Sequence, residues 1–395
     1  MKSPDQPTQS SGVGSATLDC VQDTASFKSL QSEWQLLYRV CPYATPFNSW
    51  EWLFSWWQSY GAHRRLQILT WRSGSSLLGI APLYLSSEKT GLGAGCRVLR
   101  FVGDGSHDSD YLGMLIRPDL VTSIVQQFAK WLRVSREWDV LVLREMSTRS
   151  GMAEVLKQEI ENLGFRTRVE NSRTATLPLP PSFDDFLTGR RSRFRTKLRS
   201  LLKTLDQGSL TFETRCERPL ELRHRLRSLF TLHQRRWMEV GGSGVFGDAE
   251  KRLFYRRFVL RFARRGWLRF YSLRQGSEYV AHQLCFGSEG TTYLLQEGFD
   301  LANAAASYGQ MLRAAVMRHL IANAESTYDF LGGFSKHKEE WGAREENSIH
   351  LLAARSNWRA RLYFDLPIWR ERIAGSAKRV LPAAIIKRLR RMFNV

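Results

Sequence analysis

The chain has 395 residues, 43% apolar and 24% charged, enough for two ordinary domains with cores of their own. An excess of Lys and Arg gives +20 at neutral pH, which favours anionic partners (nucleic acid, phosphorylated substrates, an acidic membrane surface) without choosing among them. Five scattered cysteines without a C-x-x-C pair argue against zinc and a disulfide framework, and no run reaches the roughly 20 apolar residues of a membrane span, so a metal-free, soluble, cytoplasmic protein is expected.

Residues 1–17 are polar, lack an apolar signal core and read as a disordered leader. Helical patterns cover 27–38 and the aromatic run NSWEWLFSWWQSYG (48–61). Strands follow at 66–72, 76–85 and 97–103, then a helix at 121–134, a strand at 138–146 and a helix at 152–163 before Gly164. PLPPS (178–182) is the best linker, which predicts domains over 18–177 and 178–357. Beyond it, 183–205 reads as basic helices, followed by helices at 223–240 and 250–266 and strands at 267–274, 278–287 and 291–299. A helix at 308–324, a strand at 327–331, a short basic helix and a strand at 348–354 complete the folded part. The tail, 358–395, interleaves Ile, Leu, Met and Phe with Lys387, Arg388, Arg390 and Arg391. That pattern suits a basic amphipathic helix on acidic lipid or one docking on a partner.

The two halves repeat. LQILTWRSGSSLLGIAPL (66–83) lies over LRFYSLRQGSEYVAHQLC (268–285) without a gap. Each hairpin is followed by a third strand, a helix and an aromatic-Asp-hydrophobic strand, WDVLVL in one half and YDFLGG in the other. This order resembles the GNAT acyltransferase fold, an α/β architecture of mixed sheets, here twice in tandem. The segments SWEWLFSWWQSYG, LLGIAPLYL, FVGDGSHDSDYLGMLI, TGRRSRFRTKLRSL and GGFSKHKEEWG resemble the CelD/BcsL-type acetyltransferases, a branch related to the tandem-GNAT FemABX aminoacyltransferases. In the last segment Gly333, Lys338 and Trp341 are in register with a Gly-x-x-x-(Tyr)-Lys-x-x-Trp signature, and His337 stands where an aromatic is usual.

The resemblance implies transfer of an acyl group from acetyl-CoA or a longer acyl-CoA to an amine or hydroxyl of a sugar, polysaccharide precursor or small metabolite, in exopolysaccharide or envelope synthesis. Donor phosphates would meet the start of the helix at 308, where Ser307 is a cap candidate and Tyr308, Gly309 and Gln310 follow. The familiar Q/R-x-x-G-x-G/A loop is absent, so an ordinary capped core helix stays open as a reading. Gly298 is the candidate for a strand bulge beside the thioester. Glu297 and His282 are candidate general bases, against a salt-bridged strand carboxylate and a hydrogen-bonded sheet histidine. Lys336, His337 and Lys338 either grip an anion or form a solvated basic helix, with Trp341 packing beside them. The run carrying Arg190, Arg193, Arg195 and Arg199 either binds phosphate or is a solvated face. Asp110 and Tyr111, in the first half, would help shape the acceptor site. Two other readings remain: a FemABX-like enzyme using aminoacyl-tRNA, and a non-catalytic membrane-associated scaffold. No DNA-binding pattern stands out.

Overall fold

The computed structural model describes residues 16–365, apart from 90–92, 94, 150, 217, 240–243 and 302–305. The first half contains β1 (Thr17–Val21), α1 (Thr24–Ser29), α2 (Gln31–Val40), α3 (Trp50–Tyr60), β2 (Arg65–Ser73), β3 (Ser76–Lys89), β4 (Gly95–Phe101), β5 (Leu115–Ile116), α4 (Val121–Val134), β6 (Val140–Ser147), α5 (Met152–Asn162) and β7 (Arg166–Pro178). The second contains α6 (Phe183–Thr188), α7 (Ser192–Thr204), β8 (Thr211–Glu213), α8 (Pro219–Glu239), α9 (Ala249–Arg264), β9 (Leu268–Gln275), β10 (Glu278–Ser288), β11 (Thr291–Phe299), α10 (Tyr308–Ala322), β12 (Thr327–Gly332), α11 (Lys336–Glu340) and β13 (Arg344–Ala354).

The two halves share one sheet, ordered β1-β2-β3-β4-β6-β13-β7-β12-β11-β10-β9-β8, with β5 paired to β3. Each half builds antiparallel strands, crosses over through a helix and adds a parallel strand: β4 with β6, β11 with β12. At the centre the halves exchange their last strands. β13 lies antiparallel between β6 and β7, and β7 lies antiparallel between β13 and β12. The sheet therefore runs through the expected 177/178 boundary without a break.

Local chemistry explains the helices that cover it. α4 buries Ile124, Val125, Phe128 and Leu132 on one face at helical spacing. α3 is capped by Ser49, whose hydroxyl accepts from the Trp52 amide at 3.3 Å, and it is apolar on nearly every side because it is covered all round. Trp52 packs against Phe254 and Phe258 of α9 and Phe286 of β10, joining the halves through rings whose burial stabilises by about 2–3 kcal/mol each.

Three terminal and linker expectations change. β1 starts at Thr17, inside the expected leader, and pairs with β2; residues 1–15 lie outside the described residues. β7 occupies a stretch that composition did not mark as a strand. Residues 358–365 of the expected tail are helical and bury Ala360 and Phe364 against Val98, Val140 and Leu352; 366–395 lie outside the described residues. Among the described residues no helix is long and apolar enough to cross a membrane, and no His/Cys/Asp/Glu cluster could hold a metal ion.

Candidate active site

β11 and β12 pair only through Thr291–Tyr293 and Thr327–Asp329. Beyond that point the strands part. A bulge reinforces the divergence: Leu284 of β10 faces Gln296 and Cys285 faces Leu294, which leaves Leu295 as the extra residue. The backbone of β11 past Tyr293 has no strand partner on the β12 side. The bulge is thus at Leu295 and not at Gly298. Gly298 pairs regularly with His282, and it is glycine because α8 lies against it: a Cβ there would sit 2.9 Å from the His233 amide nitrogen.

The parted strands lead to a cavity of about 490 Å³ whose wall includes Lys197, Arg236, Glu297, Arg313 and His337 together with residues 307–310 at the start of α10. Ser307 occupies the N-cap position but has φ 51° and makes no side-chain cap bond. It leaves the first amides of α10 facing the cavity, where the helix dipole favours an anion. Gly309 is needed for packing, since a Cβ would fall 2.7 Å from the Phe299 ring. Arg236 stacks over that same ring, 4.6 Å from its centroid.

Glu297 is gripped by Arg313 and lies 3.7 Å from Arg236. Burial pushes its carboxyl up, but the two guanidiniums prevail and hold it below the usual range. A base needs a proton affinity near the working pH, and this ion-paired setting suits Glu297 to holding the two arginines. Arg313 is 4% exposed; it also donates to His337 Nε2 at 3.1 Å and stacks on Phe330 and Trp341. Sequence reasoning missed it, although an arginine among Met311, Leu312, Ala314 and Ala315 on a buried helix face is a detectable signal.

A second cluster gathers at the end of β12. Tyr111 Oη donates to Asp329 Oδ2 at 2.9 Å, and the Leu331 amide donates to Asp329 Oδ1 at 2.8 Å. Asp110 accepts from the Gly332 amide; burial, then Glu145 and Asp329, push its carboxyl up to about 8. Burial likewise raises Asp329 to about 6, against the pull of Tyr111 and Arg149. Lys338 Nζ donates to the carbonyls of Phe330, Leu331 and Gly332 at 2.9, 3.3 and 2.7 Å. Burial brings it down to about 8 despite Asp110 and Asp329. It pins the strand end beside two acidic groups with raised proton affinity. Among the described residues, four of the seven non-glycine residues with positive φ, Tyr111, Glu145, Ser307 and Leu331, belong to these two clusters. Strain of this kind concentrates where geometry serves function. A neighbouring cavity of about 400 Å³ in the first half shares Tyr111 and is lined by Tyr43, Asn48, Met114, Ser147 and Met152.

Other expected site residues stand elsewhere. His282 is on the α8 face of the sheet, opposite Glu297. It bonds Ser272 Oγ through Nδ1 at 2.8 Å, and burial with Arg225 drives it down to about 3. It does not line the cavity and stays neutral, as a core histidine. Trp341 is fully buried against Phe186 and Phe194 and cannot touch a ligand. Arg190 bonds the Phe186 carbonyl at 3.1 Å and stacks on its ring. Arg193 and Arg199 are exposed, Arg195 is half-buried, and none lines the cavity; Lys197 is the member of that run that does. Lys336 is exposed and also outside the cavity wall.

Residues 189–339, from the approach to α7 as far as α11, match the family model for an Acetyltransferase (GNAT) domain. This stretch is similar to a GNAT acetyltransferase domain. The protein is accordingly an acyltransferase. Solved structures with little sequence likeness are also similar to the chain. FemX matches with TM-score 0.57 at 11% identity, over 81% of this chain and 95% of that one. L-PGS from Bacillus licheniformis matches with TM-score 0.50 at 10% identity, over 85% and 93%. A tandem GNAT protein from the clavulanic acid biosynthesis pathway matches with TM-score 0.44 at 12% identity, over 86% and 98%. No curated protein matches the chain.

Proposed function

We propose that this acyltransferase takes its acyl group from acetyl-CoA or a longer acyl-CoA, lodged between β11 and β12, and passes it to an amine or hydroxyl presented from the first half. The carrying observation is the separation of β11 from β12 after Tyr293 and Asp329, opening on a cavity walled by cations and the start of α10. The amides of Tyr308 and Gly309, with Lys197 and Arg236, suit a pyrophosphate. Unpaired amides of β11 would polarise the thioester carbonyl. In the transfer the C–S bond breaks, a C–N or C–O bond forms, and the acceptor's proton must be removed as it attacks. Asp110 is the candidate to take it, with Asp329 and Tyr111 positioning the acceptor and Lys338 holding the strand end. The cavity beside Tyr111 has room for a body the size of a monosaccharide, which supports a saccharide or small-metabolite acceptor as in the CelD/BcsL-type enzymes, working in the cytoplasm or beside its membrane. Titration calorimetry with acetyl-CoA and longer acyl-CoAs tests the donor: saturable binding that Arg236→Ala weakens about tenfold is expected. No saturable binding of any acyl-CoA would sink the reading.

One observation favours a second donor. Exposed Arg193 and Arg199 continue the positive surface of α7 away from Lys197 at the cavity wall, a track suited to a longer polyanion such as aminoacyl-tRNA. Binding of charged tRNA that falls steeply with salt, in a protein that ignores acyl-CoA, would select this donor.

A further inference from the structure

Away from the cleft, α8 and α9 enclose a groove of about 270 Å³. Its floor is Leu222, Leu226, Phe230, Val259 and Leu260, and its rim is Arg223, Arg227 and Arg256. All three rim arginines are exposed, and none makes an ion pair or side-chain hydrogen bond among the described residues. Several other arginines nearby are occupied, whereas Arg235 and Arg264, farther along the same two helices, are exposed like the rim and make no ion pair or side-chain hydrogen bond among the described residues. Arg225 is buried against Glu213 and Glu221, Arg252 bonds the carbonyls of Phe246 and Gly247, Arg261 bonds Ser55 and Gln58, and Arg265 pairs with Glu51. Three of the unpaired guanidiniums of this surface thus ring one apolar groove.

The helices also turn leucine outward beside these charges. Leu220, Arg223 and Arg227 follow i, i+3, i+7 spacing on α8, and Leu253, Arg256 and Leu260 follow it on α9, so each helix presents one mixed stripe. Leu220 is 77% exposed and Leu253 39%. The acids of the two helices do not neutralise the rim: Glu221 is held by Arg225, Glu239 ends α8, and Glu250 lies in the first turn of α9.

We propose that the α8/α9 groove docks the protein on an acidic bilayer, with a lipid phosphate on Arg223, Arg227 and Arg256 and acyl chain against the leucine floor. Cationic heads on apolar stems over a hydrophobic floor match the headgroup-to-chain boundary of a membrane. A nucleic acid would use the guanidiniums but has no use for exposed leucine, and the groove offers no exposed ring on which a base could stack.

The test is vesicle flotation of the full chain on phosphatidylcholine with and without phosphatidylglycerol. R223A/R227A/R256A is expected to weaken binding to the anionic vesicles on the order of 100-fold, and L220S/L253S about tenfold, with melting temperatures unchanged because all five positions are on the surface. The substitution K387A/R388A/R390A/R391A should leave the arginine effect in place. Three outcomes overturn the proposal: the triple arginine variant binds like the parent, the tail substitution alone abolishes binding, or the triple variant loses homopolymeric RNA while keeping vesicles.

Discussion

The two halves open the same seam and treat it differently. β4 and β6 pair only through Val98–Arg100 and Val140–Val142, just as β11 and β12 pair over three residues. In the first half the chain itself fills the gap: Leu112 bridges Met146, and Leu115 and Ile116 pair with β3. The acids of this plug are tied down. Asp104 pairs with Arg100 at 2.7 Å, and buried Asp108 pairs with Lys251 of α9 at 3.0 Å and accepts from Tyr255. Two residues on, Asp110 makes no ion pair among the described residues and instead accepts from the Gly332 amide at the end of β12. In the second half the gap is open and cation-lined. One seam has become a wall that carries acids toward the site; the other remains an open slot lined by Lys197, Arg236 and Arg313. The division of labour comes from the segment after each third strand, not from the sheet.

The comparison can be broken most severely by separating its parts. Residues 18–177 or 178–357 expressed alone should give no cooperative unfolding transition, since each half borrows a central strand, while co-expression should restore one; a sharp melt from either piece alone would contradict the exchanged strands. Next in size, Arg313→Met takes the closer cation from half-buried Glu297 and leaves it only Arg236 at 3.7 Å, which should lower unfolding free energy by about 3 kcal/mol in urea denaturation; replacing both with apolar residues should recover much of it. Asp110→Asn should cut kcat about 100-fold or more at its optimum and remove the rise of rate with pH that centres near 8 in the parent. The same group makes a stability prediction. Its carboxyl binds a proton more tightly folded than unfolded, so its contribution is present at acid pH and fades between about 4 and 8. Asp110→Asn should flatten that decline; an unchanged slope in thermal melts against pH would exclude it. The smallest effect separates the seams: Arg236→Ala should weaken acyl-CoA binding about tenfold, whereas Arg117→Ala, before the corresponding first-half helix α4, should leave it unchanged.

Much of this plan is legible in the sequence. α4 spans Val121–Val134 and β11 Thr291–Phe299, the ranges expected of them; α4 buries a regular apolar set at helical spacing, and β11 buries the run Thr292–Leu294. The gapless match of 66–83 with 268–285 foretells two equivalent hairpins, β2-β3 and β9-β10. β7 is not legible for the opposite reason. Over Arg166–Arg173 it buries no residue fully, and only Thr174–Leu177 are buried, so neither alternation nor an apolar run announces it. Its partners lie more than 140 residues away. The site divides the same way. Ser307–Gln310, Glu297 and His337 do converge on one cavity, because a helix start after a strand has a fixed place in this fold. The exclusion of His282 depends on which face of β10 meets α8, and the standing of Asp110 depends on Asp329 and Glu145, neither near it in sequence. Arg236 looks like any surface arginine of α8 until Phe299 comes beneath it.

The interlaced centre has a mechanical consequence. With β13 hydrogen-bonded on both flanks inside the first repeat and β7 similarly held against the second, the lobes cannot swing about a hinge without tearing ladder bonds on both sides. Access to the slot is therefore governed by loops and side chains over a rigid frame, and turnover in this enzyme should not wait on a large inter-lobe rotation.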